Sequence, residues 1–211
     1  MDGEVKWSNE HLESVERRYT LIKCLNRKYK AKGIDLSAGF FKEQFKDLLT
    51  LPSGTQIATL QGHTNDVKCL IVHNNILYSG SRDKTIRAWN LDTNECITAL
   101  RGHTHDVRCL IVHNNILYSG SVDTTIRAWN LDTNECIAAL QGHTNIVSCL
   151  IVHNNILYSG SKNRTIRAWS LDTNECITAL QGHTHDVYCL MVHNNILYSG
   201  GKDTTIRAWK L

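Results

Sequence analysis

The chain has 211 residues and repeats a forty-residue unit four times between residue 60 and its last residue. Each copy opens with Gly-His-Thr, continues with Ile-Leu-Tyr-Ser-Gly and closes with Thr-Ile-Arg-Ala-Trp; the first copy runs from Gly62 to its tryptophan at Trp89. A unit of this length cannot bury its faces alone, so neighbouring copies must pack side by side. The period therefore predicts a row of small units.

Each copy contains four stretches rich in β-branched and aromatic residues, which in the first copy are 67–72, 76–81, 85–91 and 95–100. Short turns of His, Asn, Asp and Thr separate them. Four antiparallel strands per copy predict a mainly β fold, a β-propeller with blades at 67–100, 107–140, 147–180 and 187–211. Residues 55–60 are similar to 95–100, so we expect them to supply the outer strand that the last blade lacks, which would remove the open edges.

Residues 1–54 do not share the repeat. Apolar residues spaced by threes and fours after Ser8 predict an amphipathic helix that stops near Gly33. A second helix is expected from Ser37, and Pro and Gly within 51–54 indicate a hinge. We therefore predict a short α-helical N-terminal extension over 1–54. It either packs on the blades or docks another protein.

Composition narrows the function classes. The net charge of +3 gives no general argument for nucleic acid or membrane, and no apolar run is long enough to span a bilayer. Seven of the eight cysteines recur with the repeat and none forms a Cys-x-x-Cys pair. We interpret them as buried apolar residues of a cytoplasmic, or nuclear, protein. No catalytic motif, metal site or cofactor site is predicted.

The Gly-His pair, the Ser-Gly-Ser-x-Asp-x-Thr-Ile turn and the Trp at matching offsets resemble WD40 repeats over about three quarters of the chain. The resemblance implies a propeller that binds proteins without catalysis. It also implies that a His, a Ser (Ser79 or Ser81 in the first copy), an Asp and a Trp bond to one another inside each blade. The network positions are His63, Asp83, Trp89, His103, Asp123, Trp129, His143, Asn163, Trp169, His183, Asp203 and Trp209. The third copy has Asn163 in place of Asp, so we expect its blade to be the weakest.

Propellers of the WD40 family usually have six to eight blades, whereas this chain encodes four. Three arrangements follow. The chain forms a half-ring, or it closes as a ring of four blades, or two chains join head to tail as an eight-bladed homodimer.

Differences between the four copies are concentrated in two turns, the one that precedes the first strand of a blade and the one between its second and third strands. In a propeller these turns share one face, whose variable residues are our candidate partner-binding site. They are Asn65, Lys68, Arg82, Lys84, His105, Arg108, Asn145, Ser148, Lys162, Arg164, His185, Tyr188 and Lys202. Seven are cationic, which favours an acidic or phosphorylated peptide or protein as partner. Nucleic acid is less favoured, since Tyr188 is the one aromatic residue among them.

The sequence thus favours a non-enzymatic interaction scaffold that binds its partner on this face. One alternative comes from residues 25–49, which are similar to the helical linker between F-box and propeller in ubiquitin-ligase substrate receptors. It would make the chain a truncated receptor for acidic or phosphorylated substrates.

Overall fold

We describe residues 56–211 from a computed structural model. Their regular secondary structure is entirely β-strand, arranged as four antiparallel sheets in which each strand pairs with the next along the chain. The predicted helices of 1–54 lie outside the described residues. We call each sheet a blade and number the blades in chain order.

The strands recur with the sequence repeat. Blade 1 contains β1 (Val67–His73), β2 (Ile76–Ser81), β3 (Thr85–Asn90) and β4 (Cys96–Arg101). Blade 2 contains β5 (Val107–His113), β6 (Ile116–Ser121), β7 (Ile126–Asn130) and β8 (Cys136–Leu140). Blade 3 contains β9 (Val147–His153), β10 (Ile156–Ser161), β11 (Thr165–Ser170) and β12 (Cys176–Gln181). Blade 4 contains β13 (Val187–His193), β14 (Ile196–Gly201) and β15 (Ile206–Lys210).

The turn between the first two strands shows how the sequence sets the register. Asn74 and Asn75 both have positive φ, 47° and 60°, and they connect His73 to its partner Ile76. A two-residue hairpin needs this left-handed backbone, which asparagine tolerates better than most residues. The same Asn-Asn pair occurs in every blade and fixes the same alignment of strands.

Apolar clusters lie between consecutive blades. The first joins Tyr78, Ile86 and Leu100 of blade 1 to Val107 and Leu117 of blade 2, and equivalent clusters follow at the next two junctions. Close approach at each junction requires glycine. A Cβ at Gly80 would lie 2.7 Å from a methyl of Val107 on the next blade.

The row of blades formed by residues 56–211 is open at both ends. The first strands of the blades contact one another in the order β1, β5, β9, β13, and Val67 at the start of β1 is 49% exposed, whereas its counterparts Val107, Val147 and Val187 are fully buried. A closed ring of four would bury Val67 as well, so that arrangement is wrong for the described residues.

The expected outer strand at 55–60 differs from the structure. Residues 56–60 belong to none of the four sheets, and blade 4 has three strands. A strand forms only where a neighbouring edge is within hydrogen-bonding reach. In an open array the edge of β15 is at the opposite end of the row from residue 60, so the chain does not complete its own last blade.

Candidate functional site

A hydrogen-bonded network fastens the inside of each blade. In blade 2, His103 Nδ1 donates to Asp123 Oδ2 at 2.7 Å, and Ser119 Oγ donates to His103 Nε2 at 2.7 Å. Trp129 Nε1 donates to the same Ser119 oxygen at 2.8 Å. This tautomer satisfies both ring nitrogens of a buried imidazole. The equivalent serine in blade 1 is Ser79.

The carboxylate of this network is held in its charged form. Burial by itself raises the pKa of Asp123, but hydrogen bonds from His103 and Thr125 outweigh burial and hold that pKa well below its usual range. The backbone N–H of Thr104 adds a further bond at 2.9 Å. Because the Asp lies in one turn and the His in another, the network fixes the two turns relative to each other.

Blade 3 has a weaker version. Asn163 accepts from His143 Nδ1 at 3.3 Å, compared with 2.7 to 2.8 Å for the aspartates of the other blades. Burial, and secondarily the positive charge of Arg167, lower the pKa of His143 to about 4. Without a carboxylate beside it, this imidazole is kept neutral.

Backbone bonds place the two variable turns at the same end of each blade. In blade 1, Arg82 N donates to Asp66 O at 2.8 Å, and Ser81 Oγ donates to Asn65 O at 3.1 Å. We call this end, formed by residues 64–68 and 82–84 and their counterparts in the other blades, the rim.

The turn between the second and third strands contains strained backbone. Lys84, Thr124, Arg164 and Thr204 occupy equivalent positions with φ between 64° and 73°. This conformation is uncommon for residues other than glycine, and for a β-branched threonine it is unfavourable. Strain of this kind is concentrated at functional sites.

Five of the candidate partner-binding residues meet at one cavity of the rim. The cavity has a volume of about 300 Å³ and is lined by Lys68, Arg108, Ser148, Lys162 and Tyr188, together with Ile146. The Ser148 hydroxyl is shielded from solvent and has no hydrogen-bond partner in the part of the chain that the structure describes. The cavity therefore offers three cations and an unpaired hydroxyl to a ligand.

The remaining candidates lie on the turns around the cavity without lining it; they are Asn65, Arg82, Lys84, His105, Asn145, Arg164, His185 and Lys202. Asn65 lines a different groove, at the open end of blade 1. Ile146, by contrast, was not among the candidates. It stands where the other copies have Asp, and that loss of charge in a variable turn was the signal that could have identified it.

Charge is unevenly distributed over the rim. The turns of blade 3 carry Lys162 and Arg164 and no carboxylate, because Ile146 and Asn163 replace the two aspartates that every other blade has there. The three cations of the cavity each have an acidic neighbour on another turn or on the same one: Lys68 has Asp66 at 2.8 Å, Arg108 has Asp106 at 3.2 Å and Lys162 has Asp186 of blade 4 at 3.7 Å. The positive potential is therefore expected to be strongest at blade 3, beside the cavity.

The cysteines differ from the interpretation as buried residues. Cys69, Cys109 and Cys149 are half-buried, but Cys96, Cys136, Cys176 and Cys189 are exposed. Three of these four lie on outermost strands, where one face meets solvent. Within residues 56–211, no three His, Cys, Asp or Glu side chains come together as a possible metal site, and no helix is long and apolar enough to cross a membrane.

Four antiparallel sheets that pack side by side and contain this repeated network define a β-propeller protein built from sequence repeats. The family model for the WD domain, G-beta repeat (WD40), matches residues 54–90, 94–130, 134–170 and 174–210. The chain belongs to the WD40 family.

Curated relatives match short stretches. The chain is 50% identical over 42 residues to the probable E3 ubiquitin ligase complex SCF subunit scon-2 of Neurospora crassa, covering 20% of this chain and 6% of that protein. It is 49% identical over 41 residues to zinc finger CCCH domain-containing protein 62 of Arabidopsis thaliana, covering 19% of this chain and 10% of that protein. The match thus spans a tenth or less of each relative.

Solved structures share the fold. The computationally designed Ika4 protein superimposes with a TM-score of 0.70 at 32% identity, covering 75% of this chain and 99% of that one. The RRP9 WD40 repeats superimpose with a TM-score of 0.68 at 25% identity, covering 72% of this chain and 50% of that one. The described blades therefore correspond to nearly all of one solved chain and to half of another.

Proposed function

We propose that this protein is a non-enzymatic scaffold that binds a protein or peptide on the rim, and that the bound segment carries a phosphate or a cluster of carboxylates. The observation that carries the proposal is the cavity, where Lys68, Arg108 and Lys162 converge around Ser148. These are positions at which the four copies differ, while the turns at the opposite end of the blades are unchanged.

The chemistry of the cavity favours an anion. Arginine and lysine form charge-assisted hydrogen bonds with phosphate and carboxylate oxygens. The Ser148 hydroxyl supplies one more donor, and Ile146 removes the carboxylate that would repel the ligand. Tyr188 offers an aromatic wall to a neighbouring side chain of the peptide.

A peptide array tests the proposal. The probe is one set of peptides synthesised with serine, phosphoserine or glutamate at a central position, followed by fluorescence polarisation of the binders. We expect the phosphorylated and glutamate forms to bind more tightly than the serine forms. The affinity should fall as salt is raised, because exposed charges are screened.

A triple variant locates the site. Lys68→Ala, Arg108→Ala and Lys162→Ala together should lower the affinity at least tenfold, on the scale of 1.4 kcal/mol per factor of ten. Lys210→Ala is the matched control, because Lys210 is an exposed lysine at the far end of β15 from the rim. Unchanged binding by the triple variant, or equal binding of all three peptide forms, would contradict the proposal.

A second candidate function is favoured by the similarity to scon-2, named as an SCF ubiquitin-ligase subunit. In that case the rim would recognise a substrate and residues 1–54 would contact the ligase. A pull-down of the full chain with the adaptor subunit of such a ligase tests this alternative. Lack of binding would reject the ligase role and leave the rim proposal intact.

We further propose a second copy of the chain as a partner, which would close the open row of blades as a homodimer. We place the protein in the cytosol or nucleus, since the seven cysteines of the described residues are free thiols and four are exposed. A reducing compartment keeps such thiols reduced.

A further inference from the structure

We infer that the two ends of the row are complementary surfaces, and that two copies of this chain use them to form an eight-bladed ring. The leading face is the apolar surface of blade 1 around Val67, and the trailing face is that of blade 4 around Gly200 and Ile206. In the ring, each leading face packs on the trailing face of the other copy. The inference rests on the homodimer proposed above and is independent of ligand binding at the rim.

The junction between blades 1 and 2 shows what the two faces are built to contact. Val107 of blade 2 is fully buried and approaches Gly80 of blade 1 so closely that a Cβ there would lie 2.7 Å from its methyl. Val67 is the counterpart of Val107, and it is 49% exposed, since the described residues before it, 56–66, contain no strand that could cover it.

On the trailing face, the residues that contact a following blade elsewhere in the row have no such blade to contact among the described residues. A Cβ at Gly200 would meet Cys189 Sγ of its own blade and no valine, whereas Gly80, Gly120 and Gly160 each face a valine of the next blade. Ile206 is 81% exposed, although the equivalent Ile86, Ile126 and Ile166 are fully buried. Each face therefore lacks the partner that the other face could provide.

The leading face also contains a groove. A groove of about 640 Å³ opens there, lined by Leu60, Val67, Leu70, Leu77 and Trp89 among others. At the internal junctions, side chains of the preceding blade cover the counterparts of these residues, as Tyr78 and Ile86 do for Val107 and Leu117. The equivalent side chains Tyr198 and Ile206 of a second copy have the chemistry and the positions to fill the groove.

Charges match across the ends as they do inside the row. Arg82 of blade 1 faces Asp106 of blade 2 at 4.0 Å, and Lys162 of blade 3 faces Asp186 of blade 4 at 3.7 Å. At the junction between blades 2 and 3, the corresponding pair is Val122 and Ile146, both uncharged.

At the two ends of the row of blades, the residues equivalent to these junction pairs are Lys202 on blade 4 and Asp66 on blade 1. At each charged junction, the earlier blade thus provides the cation and the next blade provides the aspartate. Blade 4 of one copy and blade 1 of another would form a junction with the same pair of charges. This agreement favours a second copy over an unrelated partner.

Residues 56–60 would complete the sheet of the other copy. Inside the chain, the outer strand β4 of blade 1 leads directly into β5 of blade 2, and its Leu100 pairs with Ile86. Residues 56–60 lead into β1 in the same way. Placed on the edge of β15 of the second copy, Leu60 would pair with Ile206 and cover it.

Two-fold symmetry then forms both junctions at once and leaves no open sheet edge.

The solution mass of the full chain tests the inference, measured by light scattering after gel filtration. We expect the mass of two chains. Val67→Glu and Ile206→Glu, which place a charge on opposite faces, should each reduce it to one chain. Because both side chains are exposed in the single chain, circular dichroism should show intact folding. Ile137→Glu is the matched control, since Ile137 is an exposed isoleucine of the outer strand β8, away from both ends.

A mass of one chain for the unmodified protein would overturn the inference, and so would a mass of two chains that both variants retain. A distribution of larger masses would show open-ended polymers and overturn the closed ring. Peptide binding is measured separately, so failure of the rim proposal leaves this result unaffected.

Charge exchange tests the head-to-tail arrangement. Lys202→Glu alone places Glu opposite Asp66 at both junctions, and Asp66→Lys alone places two lysines there. Each variant should raise the dissociation constant of the dimer, on the order of tenfold. An equimolar mixture should recover the affinity, because both junctions of the mixed pair then join opposite charges. Failure to recover would contradict this arrangement.

Discussion

At position 163 one amide replaces a carboxylate that the other three blades retain. The substitution lengthens the bond to His143 Nδ1 to 3.3 Å. It also removes a negative charge from the rim next to the cavity. A hydrogen bond to a charged group contributes more stability than a neutral one, so blade 3 loses stability at the place where the rim gains positive potential. Such an exchange is common at binding sites.

The first prediction concerns this residue. Asn163→Asp should increase the free energy of unfolding by about 1 kcal/mol, the difference between a neutral and a charge-assisted hydrogen bond. Asp123→Asn is the reciprocal control and should decrease it by a similar amount, measured by urea denaturation. If Asn163→Asp destabilises the protein, the carboxylate in the other blades is not what strengthens their networks.

A second prediction concerns pH. His143 has its pKa lowered to about 4, whereas an unfolded histidine titrates near 6.5. Between these values the unfolded state binds more protons, so stability is complete above about pH 6.5 and falls as the pH is lowered towards 4. Protonation of His143 should lower the free energy of unfolding by on the order of 1 to 3 kcal/mol over this pH range.

Asn163→Asp provides the comparison, because a carboxylate beside Nδ1 favours the imidazolium and raises its pKa. The variant should therefore lose less stability than the parent between pH 6.5 and 4, measured by urea unfolding at several pH values. Equal losses in both proteins would show that His143 does not control this window.

At the scale of the strands, much of the fold could be predicted from the sequence. The Asn-Asn hairpins and the alternation of β-rich stretches with polar turns locate fifteen strands. Most of the predicted strand ends lie within one or two residues of the observed ones. The outer strand of blade 4 could not be located in this way. Residues 56–60 have the sequence of a strand, but pairing depends on which edge they can reach.

For the candidate site, too, the sequence predicts the local features but not the contacts between residues that are distant in the chain. The variable turns could be located by comparing the copies, since they are local in sequence. Which of their side chains meet at a cavity could not, because Lys68, Ser148 and Tyr188 come from three different blades. The exposure of Cys96 was likewise missed, because strand order alone decides that β4 faces solvent.

A third prediction concerns the junction between sheets. Gly120→Ala would place a Cβ 2.5 Å from Cys109 Sγ and 2.6 Å from a methyl of Val147 on the next blade. Overpacking of this kind costs about 1 to 3 kcal/mol, which thermal denaturation would detect. The double variant with Val147→Ala should lose less than the sum of the two single losses, because it removes one of the colliding groups. Strict additivity would contradict the contact.

At the scale of the whole molecule, the proposed ring depends on residues 56–211 alone. A fourth prediction follows: a chain that begins at residue 55 should have the solution mass of two chains, like the full-length protein. The reason is that Val67, Gly200 and Ile206 all lie within the compact unit formed by 58–211. A single-chain mass for the shortened protein would instead assign self-association to residues 1–54.

The near-identity of the blades has an evolutionary consequence. Both end faces are copies of an internal junction, so duplication of one forty-residue segment within the gene would leave both ends unchanged. Such a lengthened protein would inherit a working interface without any further mutation. Only the number of blades at which the ring closes would be new, and each added repeat would enlarge a two-chain ring by two blades.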